Sequence, residues 1–313
     1  MTVDDPATQI PATLERHWVD REGVRLHVRA AGPEDGPLVV LLHGFPEFWY
    51  GWRHQIAPLA AAGYRVLVPD QRGYNRSDAP PDVAAYDLDL LVDDVCAVID
   101  AAGHNRAAVV GHDWGAMVGW HLAHAHPERL RRLAVLNVPH PRVFRDTLRT
   151  SPTQLLRSTY ALFFQLPALP EWLLGRNDGQ GLATMLRWSG RPETFDDADR
   201  AIYRRAWRRP GRLRGMLNWY RAAARRALRT APPSGQVEVP TLVIWGAQDV
   251  ALDARMAAPS AARCADGRLE MLDDATHWVQ HDAPATVNRL LLDHLGEGAS
   301  GQGDEGESGG RDE

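Results

Sequence analysis

Lysine is absent from this chain of 313 residues: all 35 basic side chains are arginine. Without lysine there is no GxxxxGK[ST] phosphate loop and no Schiff-base amine. A nucleotide-composition bias acting on codons accounts for the gap itself. Cysteine is nearly as scarce. Cys96 and Cys264 lie far apart, so they make neither a disulfide framework nor a metal site, and they fit a reducing cytosol. The first 14 residues lack the basic-then-apolar pattern of a signal, and the longest apolar runs, such as 38–42, are far too short to cross a bilayer. The expected setting is therefore cytoplasmic, with no membrane partner. A net charge of -5 gives no reason to expect nucleic acid. No Gly-rich dinucleotide fingerprint occurs, and no cofactor is implied. What remains is a globular composition, 44% apolar and 24% charged, in a chain long enough for one large domain, or one domain with an insert.

Hydrophobic periodicity organises the chain. Residues 17–20 and 24–30 alternate apolar with polar, as in a half-buried antiparallel pair. Residues 38–42, 64–69, 107–111 and 132–138 read as strands, the continuous apolar runs as strands covered on both faces. Residues 88–102 and 116–126 have helical character between them. Strands alternating with helices predict an α/β fold with a mostly parallel, doubly wound sheet. The alternation breaks at Pro139. From there to Ser234 only helical stretches appear, at 153–164, 180–188, 196–207 and 213–228. It resumes with strands at 241–245 and 268–272 and a helix at 284–295. The expected division is a core of residues 15–138 and 235–297, a helical cap of residues 139–234, and flexible tails at 1–14 and 298–313.

The chemistry gathers where buried strands end. Gly111-His112-Asp113-Trp114-Gly115 follows one strand and opens a helix, with the form of a G-x-S-x-G nucleophile elbow carrying Asp in place of Ser. In isolation Asp113 could be an ordinary helix cap. At an elbow, a carboxylate with an ordinary pKa near 3.9 is already charged at neutral pH and can displace a leaving group at saturated carbon, forming an ester. Asp249 stands just past the strand 241–245, and His277 follows the next one. The order Asp113, Asp249, His277 is the nucleophile–acid–histidine order of α/β-hydrolases. His277 would then activate water against the ester, with Asp249 holding its tautomer. Asn137 stands at another place where such folds supply the acid, but an amide cannot serve. His43-Gly44-Phe45-Pro46-Glu47 offers backbone N–H groups, so the amides of Phe45 and Trp114 are the candidate oxyanion hole.

These segments resemble the soluble branch of α/β-hydrolase-fold epoxide hydrolases, over about residues 17–295. The resemblance includes the aromatic cluster Phe48, Trp49, Tyr50 and Trp52 and the turn 70–77. There Asn75 stands where many relatives have Gly, a small departure because Asn tolerates left-handed backbone. The resemblance implies two cap tyrosines over the nucleophile. Residues 158–167 (STYALFFQLP) match the first segment and give Tyr160; residues 217–221 (LNWYR) match the second and give Tyr220. Two phenols can hydrogen-bond and protonate the poor alkoxide leaving group of an opened oxirane. Tyr203 reads as cap core. Phe45, Trp114, Phe163, Phe164, Trp219 and Trp278 are the expected substrate-binding residues, and a small-molecule epoxide is the expected partner.

The nearest alternative is a haloalkane or haloacetate dehalogenase with the same aspartate nucleophile. Haloacetate enzymes carry Arg where this chain has Trp114, haloalkane enzymes tend to have Asn or Glu where Phe45 stands, and halide leaves without protonation, so paired tyrosines would have no task. An alternative of another class, a catalytically silent ligand-binding protein of the same fold, predicts a broken triad or a lost oxyanion loop, and every part is present. A metal site on His121, His124 and His126 is weak, since only two of them share a helix face and no carboxylate joins them. The Arg-rich stretch 200–229 reads as a solvated face. Oligomeric state has no sequence signal.

Overall fold

The computed structural model describes residues 14–296, so the two expected tails lie almost wholly outside the described residues. Eight strands form one sheet in the order β1-β2-β4-β3-β5-β6-β7-β8. They are β1 (Glu15–Arg21), β2 (Val24–Ala31), β3 (Leu38–Leu42), β4 (Arg65–Pro69), β5 (Ala107–His112), β6 (Leu130–Leu136), β7 (Thr241–Gly246) and β8 (Gly267–Leu272). β1 pairs with β2 and β2 with β4 antiparallel. Every later pairing is parallel. The antiparallel pair and the continuous apolar runs thus land where expected, but burial does not alternate in the pair: only Val19 of β1 is buried, and every residue of β2 except Arg25. All residues of β3, β4, β5 and β7 are buried, because helices cover the sheet on both faces.

The helices before β7 are α1 (Ile56–Ala61), α2 (Leu88–Ala101), α3 (Trp114–Ala125), α4 (Pro141–Thr150), α5 (Pro152–Arg157), α6 (Thr159–Phe163), α7 (Leu169–Ser189), α8 (Asp197–Trp207) and α9 (Arg212–Arg229). α10 (Ala257–Ala261), α11 (Val279–Asp282) and α12 (Pro284–Gly296) follow. α2 packs against α3 and α1 against α12, while α4 to α9 form the helical segment between β6 and β7. That segment departs from the sequence expectation in detail. α4 lies outside the helical stretches expected from the sequence; none of its residues is fully buried, and Val143 and Phe144 pack partly buried against the core. The single helix expected over 153–164 is two short ones, with Ser158 between them. The helix expected at 180–188 is the second half of α7, which breaks at Arg176 to Gly179, where Asn177, Asp178 and Gly179 take positive φ. β6 ends at Leu136, because Asn137 turns out of the strand at φ 56°.

Asn75 does adopt positive φ, 36°, and its side-chain amide donates to Asp70 at 2.9 Å, so this turn holds without glycine. Among the described residues no helix is long and apolar enough to cross a membrane.

Candidate active site

The site is built on the carboxyl ends of β3, β5, β6 and β7 and the loop after β8. Asp113 leaves β5 at φ 49° and ψ -121°, outside the ordinary regions for a residue with a Cβ, and α3 begins at the next residue. This strained turn lifts the carboxylate out of the sheet. The flanking glycines are a matter of space. A Cβ on Gly115 would lie 2.0 Å from the Leu42 carbonyl oxygen, and one on Gly44 would lie 2.3 Å from the Cβ of Asp113 itself. The loop after β3 can therefore press its backbone onto Asp113. As a result the Phe45 amide donates to Asp113 Oδ1 at 2.7 Å. The Trp114 amide opens α3, where backbone N–H groups have no intrahelical acceptor.

The other carboxylate oxygen faces the histidine: His277 Nε2 lies 3.7 Å from Asp113 Oδ2. On its far side His277 Nδ1 meets Asp249 Oδ2 at 2.8 Å. Asp249 is buried and fully engaged. Its Oδ1 accepts from the amides of Ala251 (2.7 Å) and Leu252 (2.9 Å), and its Oδ2 also accepts from the Asn137 amide at 2.8 Å. Burial opposes the charge on Asp249, but His277 and these donors outweigh it and hold the carboxyl below its usual range. Burial likewise opposes charge on His277, yet Asp249 and Asp113 on either side push it up to about 10. The carboxyl groups on either side therefore favour the imidazolium form of His277.

Asn137 is the residue whose part here went unread. Its side-chain amide braces Asp249, and its side-chain oxygen accepts from the Gly246 amide at 3.2 Å. Its strand-end position was visible in sequence; the side chain it would meet, 112 residues away, was not.

Above Asp113 stand Tyr160, from α6, and Tyr220, from α9, with ring centroids 5.9 Å apart. Tyr220 is also edge-on to Trp114 at 4.9 Å and to Phe45 at 5.3 Å. Their enclosure raises both phenols above the ordinary tyrosine value, and the charge of Asp113 acts in the same direction. Both therefore remain protonated donors across the working pH range. Asp113, Tyr160 and Tyr220 line two adjoining cavities of about 440 and 270 Å³. Phe45, His277 and Trp278 also line the larger, and Trp114 the smaller.

Three of the expected substrate-binding residues line neither cavity. Phe164 is buried behind the site, packed on Phe45 and Tyr220 at 5.7 and 4.9 Å. Phe163 packs on Phe164 at 6.0 Å, and Trp219 points down to donate to the Arg72 carbonyl at 2.9 Å. Phe163 follows Leu162, Phe164 precedes Gln165 and Trp219 precedes Tyr220, each of which lines a cavity. Helical geometry turns successive side chains about 100° apart, so a neighbour of a cavity residue faces elsewhere.

Tyr203 is buried, as cap core should be, but its hydroxyl donates to the buried Glu47 carboxylate. Glu47 also accepts from Gln280 at 3.1 Å and from His281 Nε2 at 2.8 Å. Arg53 can only donate, and it reaches His281 Nδ1 at 3.0 Å, so His281 is neutral with its proton on Nε2. Burial lowers His281 in the same sense. Arg53 also pairs with Asp199 of α8 at 2.9 Å, so this network ties α8 to the loop after β3. Tyr203→Phe leaves the Glu47 carboxylate short of one donor. The expected cost is about 1.5–3 kcal/mol in folding stability, read by urea denaturation; an unchanged midpoint would show that the bond contributes nothing.

Among the described residues no group of three or more His, Cys, Asp and Glu side chains is arranged to hold a metal. His124 Nε2 instead meets His140 Nε2 at 2.8 Å. His121 Nε2 meets Asp89 at 2.6 Å, and His126 Nδ1 meets Glu128 at 3.3 Å.

A family model described as alpha/beta hydrolase fold matches residues 37–284. The chain is 47% identical over 278 residues to AB hydrolase superfamily protein YfhM of Bacillus subtilis, spanning 89% of this chain and 96% of that protein. It is 38% identical over 284 residues to epoxide hydrolase 4 of Mus musculus, spanning 88% of this chain and 77% of that protein. An epoxide hydrolase of Bacillus megaterium, solved with an inhibitor, superposes with a TM-score of 0.81 at 30% identity, over 89% of this chain and 99% of that one.

Proposed function

Since the chain belongs to the alpha/beta hydrolase fold family, and within it to the epoxide hydrolases, we propose that it converts an epoxide and water into a vicinal diol through an ester on Asp113. The observation that carries this reading is the shared cavity wall: a carboxylate nucleophile below and two protonated phenols above one space.

The two carboxylate oxygens divide the work. Oδ1 is held by the Phe45 amide and Oδ2 faces the open cavity and His277, so Oδ2 is the attacking atom. It forms a bond to one oxirane carbon as the C–O bond on that carbon breaks. Tyr160 and Tyr220 hydrogen-bond the departing oxygen, and one of them gives it a proton. Alkylation removes the charge of Asp113, one of the two that hold the proton on His277. The imidazolium proton then passes through solvent to the tyrosinate, which restores the phenol and leaves His277 neutral, and His277 takes a proton from the water that attacks Cγ of the ester. The negative charge gathers on Oδ1, where the Phe45 amide already donates and the Trp114 amide is the second candidate. On collapse the Cγ–Oδ2 bond breaks, His277 gives its proton to the departing alkoxide, the diol leaves with the former Oδ2, and the new Asp113 carboxyl returns a proton to His277. Asp249, braced by Asn137, keeps Nε2 of His277 aimed at the water.

The cap assignment belongs to the same reading: residues 139–234 form the cap over a core of residues 15–138 and 235–297. Phe45, Trp114 and Trp278 would touch the substrate. A cytoplasmic setting is supported by Cys96 and Cys264, both unpaired thiols.

The test is a single turnover in ¹⁸O-water. The diol should contain only unlabelled oxygen, one atom from the epoxide and one from Asp113, with the label retained on the protein. Fully labelled diol in the first turnover would mean direct attack by water and would end this mechanism. Replacing Tyr160 and Tyr220 by Phe should slow alkylation by about 10²-fold singly and about 10⁴-fold together. Stopped-flow measurement of ester formation checks this, and wild-type rates in the double variant would remove the phenols from the reaction.

A further inference from the structure

We propose that Arg157 selects epoxides that carry a carboxylate on one arm, drawing the acid into the larger cavity while an uncharged arm fills the smaller one. This rests on the epoxide-opening reading of the site and names the substrate class within it.

The two cavities share only Asp113, Tyr160, Tyr220 and Leu252. The reacting atoms therefore sit at a waist, and space leads away from it in two directions. A terminal epoxide would fill one side only. An epoxide substituted at both carbons uses both.

The two sides differ in charge. In the wall of the smaller cavity Asp113 is the sole charged side chain; the rest includes Met117, Val138, Phe144, Leu162 and a row of alanines on α9. The larger cavity adds His277 and Arg157 to Asp113. Asp113 and His277 are occupied with each other and with Asp249, so Arg157 is the one charge there without a task in the reaction.

The aliphatic hydroxyls of that wall are taken. The Thr159 hydroxyl donates to the Leu156 carbonyl at 2.8 Å. The Ser189 hydroxyl donates to the Met185 carbonyl at 2.8 Å and accepts from Trp278 at 3.0 Å. Arg157, at the end of α5, is anchored by one bond, from Nη1 to the Asp249 carbonyl at 3.2 Å. Among the described residues no carboxylate lies within 4 Å of it, and no hydrogen bond takes up its Nε or Nη2. The carboxylate that does feel its charge, Asp253, is bound by Arg255 at 2.5 Å and lines a separate groove. A half-buried guanidinium fixed at one corner, with two donors open, suits a carboxylate, which it can meet through paired N–H···O bonds. A matching uncharged group would forgo the charge-assisted part of that contact.

The experiment compares two trans-disubstituted epoxides with the same alkyl arm, one bearing a terminal carboxylate on the second arm and the other the primary amide. The wild-type kcat/KM for the acid should exceed that for the amide by about tenfold at low salt. The advantage should shrink toward one in about 1 M NaCl, where the screening length falls to about 3 Å. Arg157→Gln should bring the ratio close to one, and Arg157→Lys should restore part of it. A ratio taken within one protein does not depend on how much of a variant is folded. Equal turnover of acid and amide by the wild type, or a preference that survives in Arg157→Gln, overturns the proposal. Failure to open any epoxide, styrene oxide included, would instead overturn the reading on which it rests.

Discussion

Asp113→Asn removes turnover, with kcat falling by about 10⁵ or more, the scale on which loss of a covalent nucleophile acts. Asparagine is the right replacement here. It tolerates positive φ, so it can occupy the turn at φ 49°, and its side-chain oxygen can still accept from the Phe45 amide. The fold and cavity should persist while the charge is gone. Intact-protein mass spectrometry should find no alkylated species during incubation with epoxide. An alkylated form of this variant, or residual turnover above about one-thousandth of wild type, would place the nucleophile elsewhere. The same variant tests the electrostatics. His277 is held up to about 10 by Asp249 and Asp113 together, so deleting one charge should lower its value in an NMR titration, with Asp249 still supporting it. Stability follows the same shift. A histidine whose folded value is raised contributes stability that is complete below its unfolded value near 6.5 and disappears as pH climbs to about 10. In Asp113→Asn the upper edge of that window should move down.

His277→Gln should separate the two halves of the reaction. Attack by Oδ2 does not need the imidazole, whereas ester hydrolysis needs its base. One equivalent of epoxide should be consumed in a burst, the protein should gain the mass of one substrate, and steady-state turnover should fall by about 10⁴-fold. Asp249 would lose one partner but keep the Asn137, Ala251 and Leu252 donors, so the variant should remain folded. Turnover without an accumulated ester would remove His277 from the second step. In the wild type, single-turnover ester breakdown should speed up as His277 loses its proton. Its midpoint should lie below that of the free site, because the ester no longer carries the Asp113 charge.

Much of this was legible along the chain for a local reason. An elbow is encoded by adjacent residues, since Gly115 must fit against Leu42 and Asp113 must turn at once into α3. Apolar runs such as 38–42 are buried on both faces, which a continuous apolar stretch reports directly. The helical segment was harder to read. α4 is only ten residues long and buries none of them fully, and α7 breaks where residues 176–179 leave helical backbone, so neither carries a long periodic stripe.

By itself, then, the sequence determined the sheet, the elbow and the order of Asp113, Asp249 and His277 along the chain, all properties of short segments or of their succession, while its resemblance to epoxide hydrolases implied Tyr160 and Tyr220. Only the tertiary structure decided which groups meet across a hundred residues or more. It set Asn137 against Asp249, Tyr203 against Glu47, and Arg157 at the cavity wall, and it turned Phe163, Phe164 and Trp219 away from the cavity. The reason is geometric: periodicity says which face of an element is covered, while the partner on that face depends on how distant elements pack.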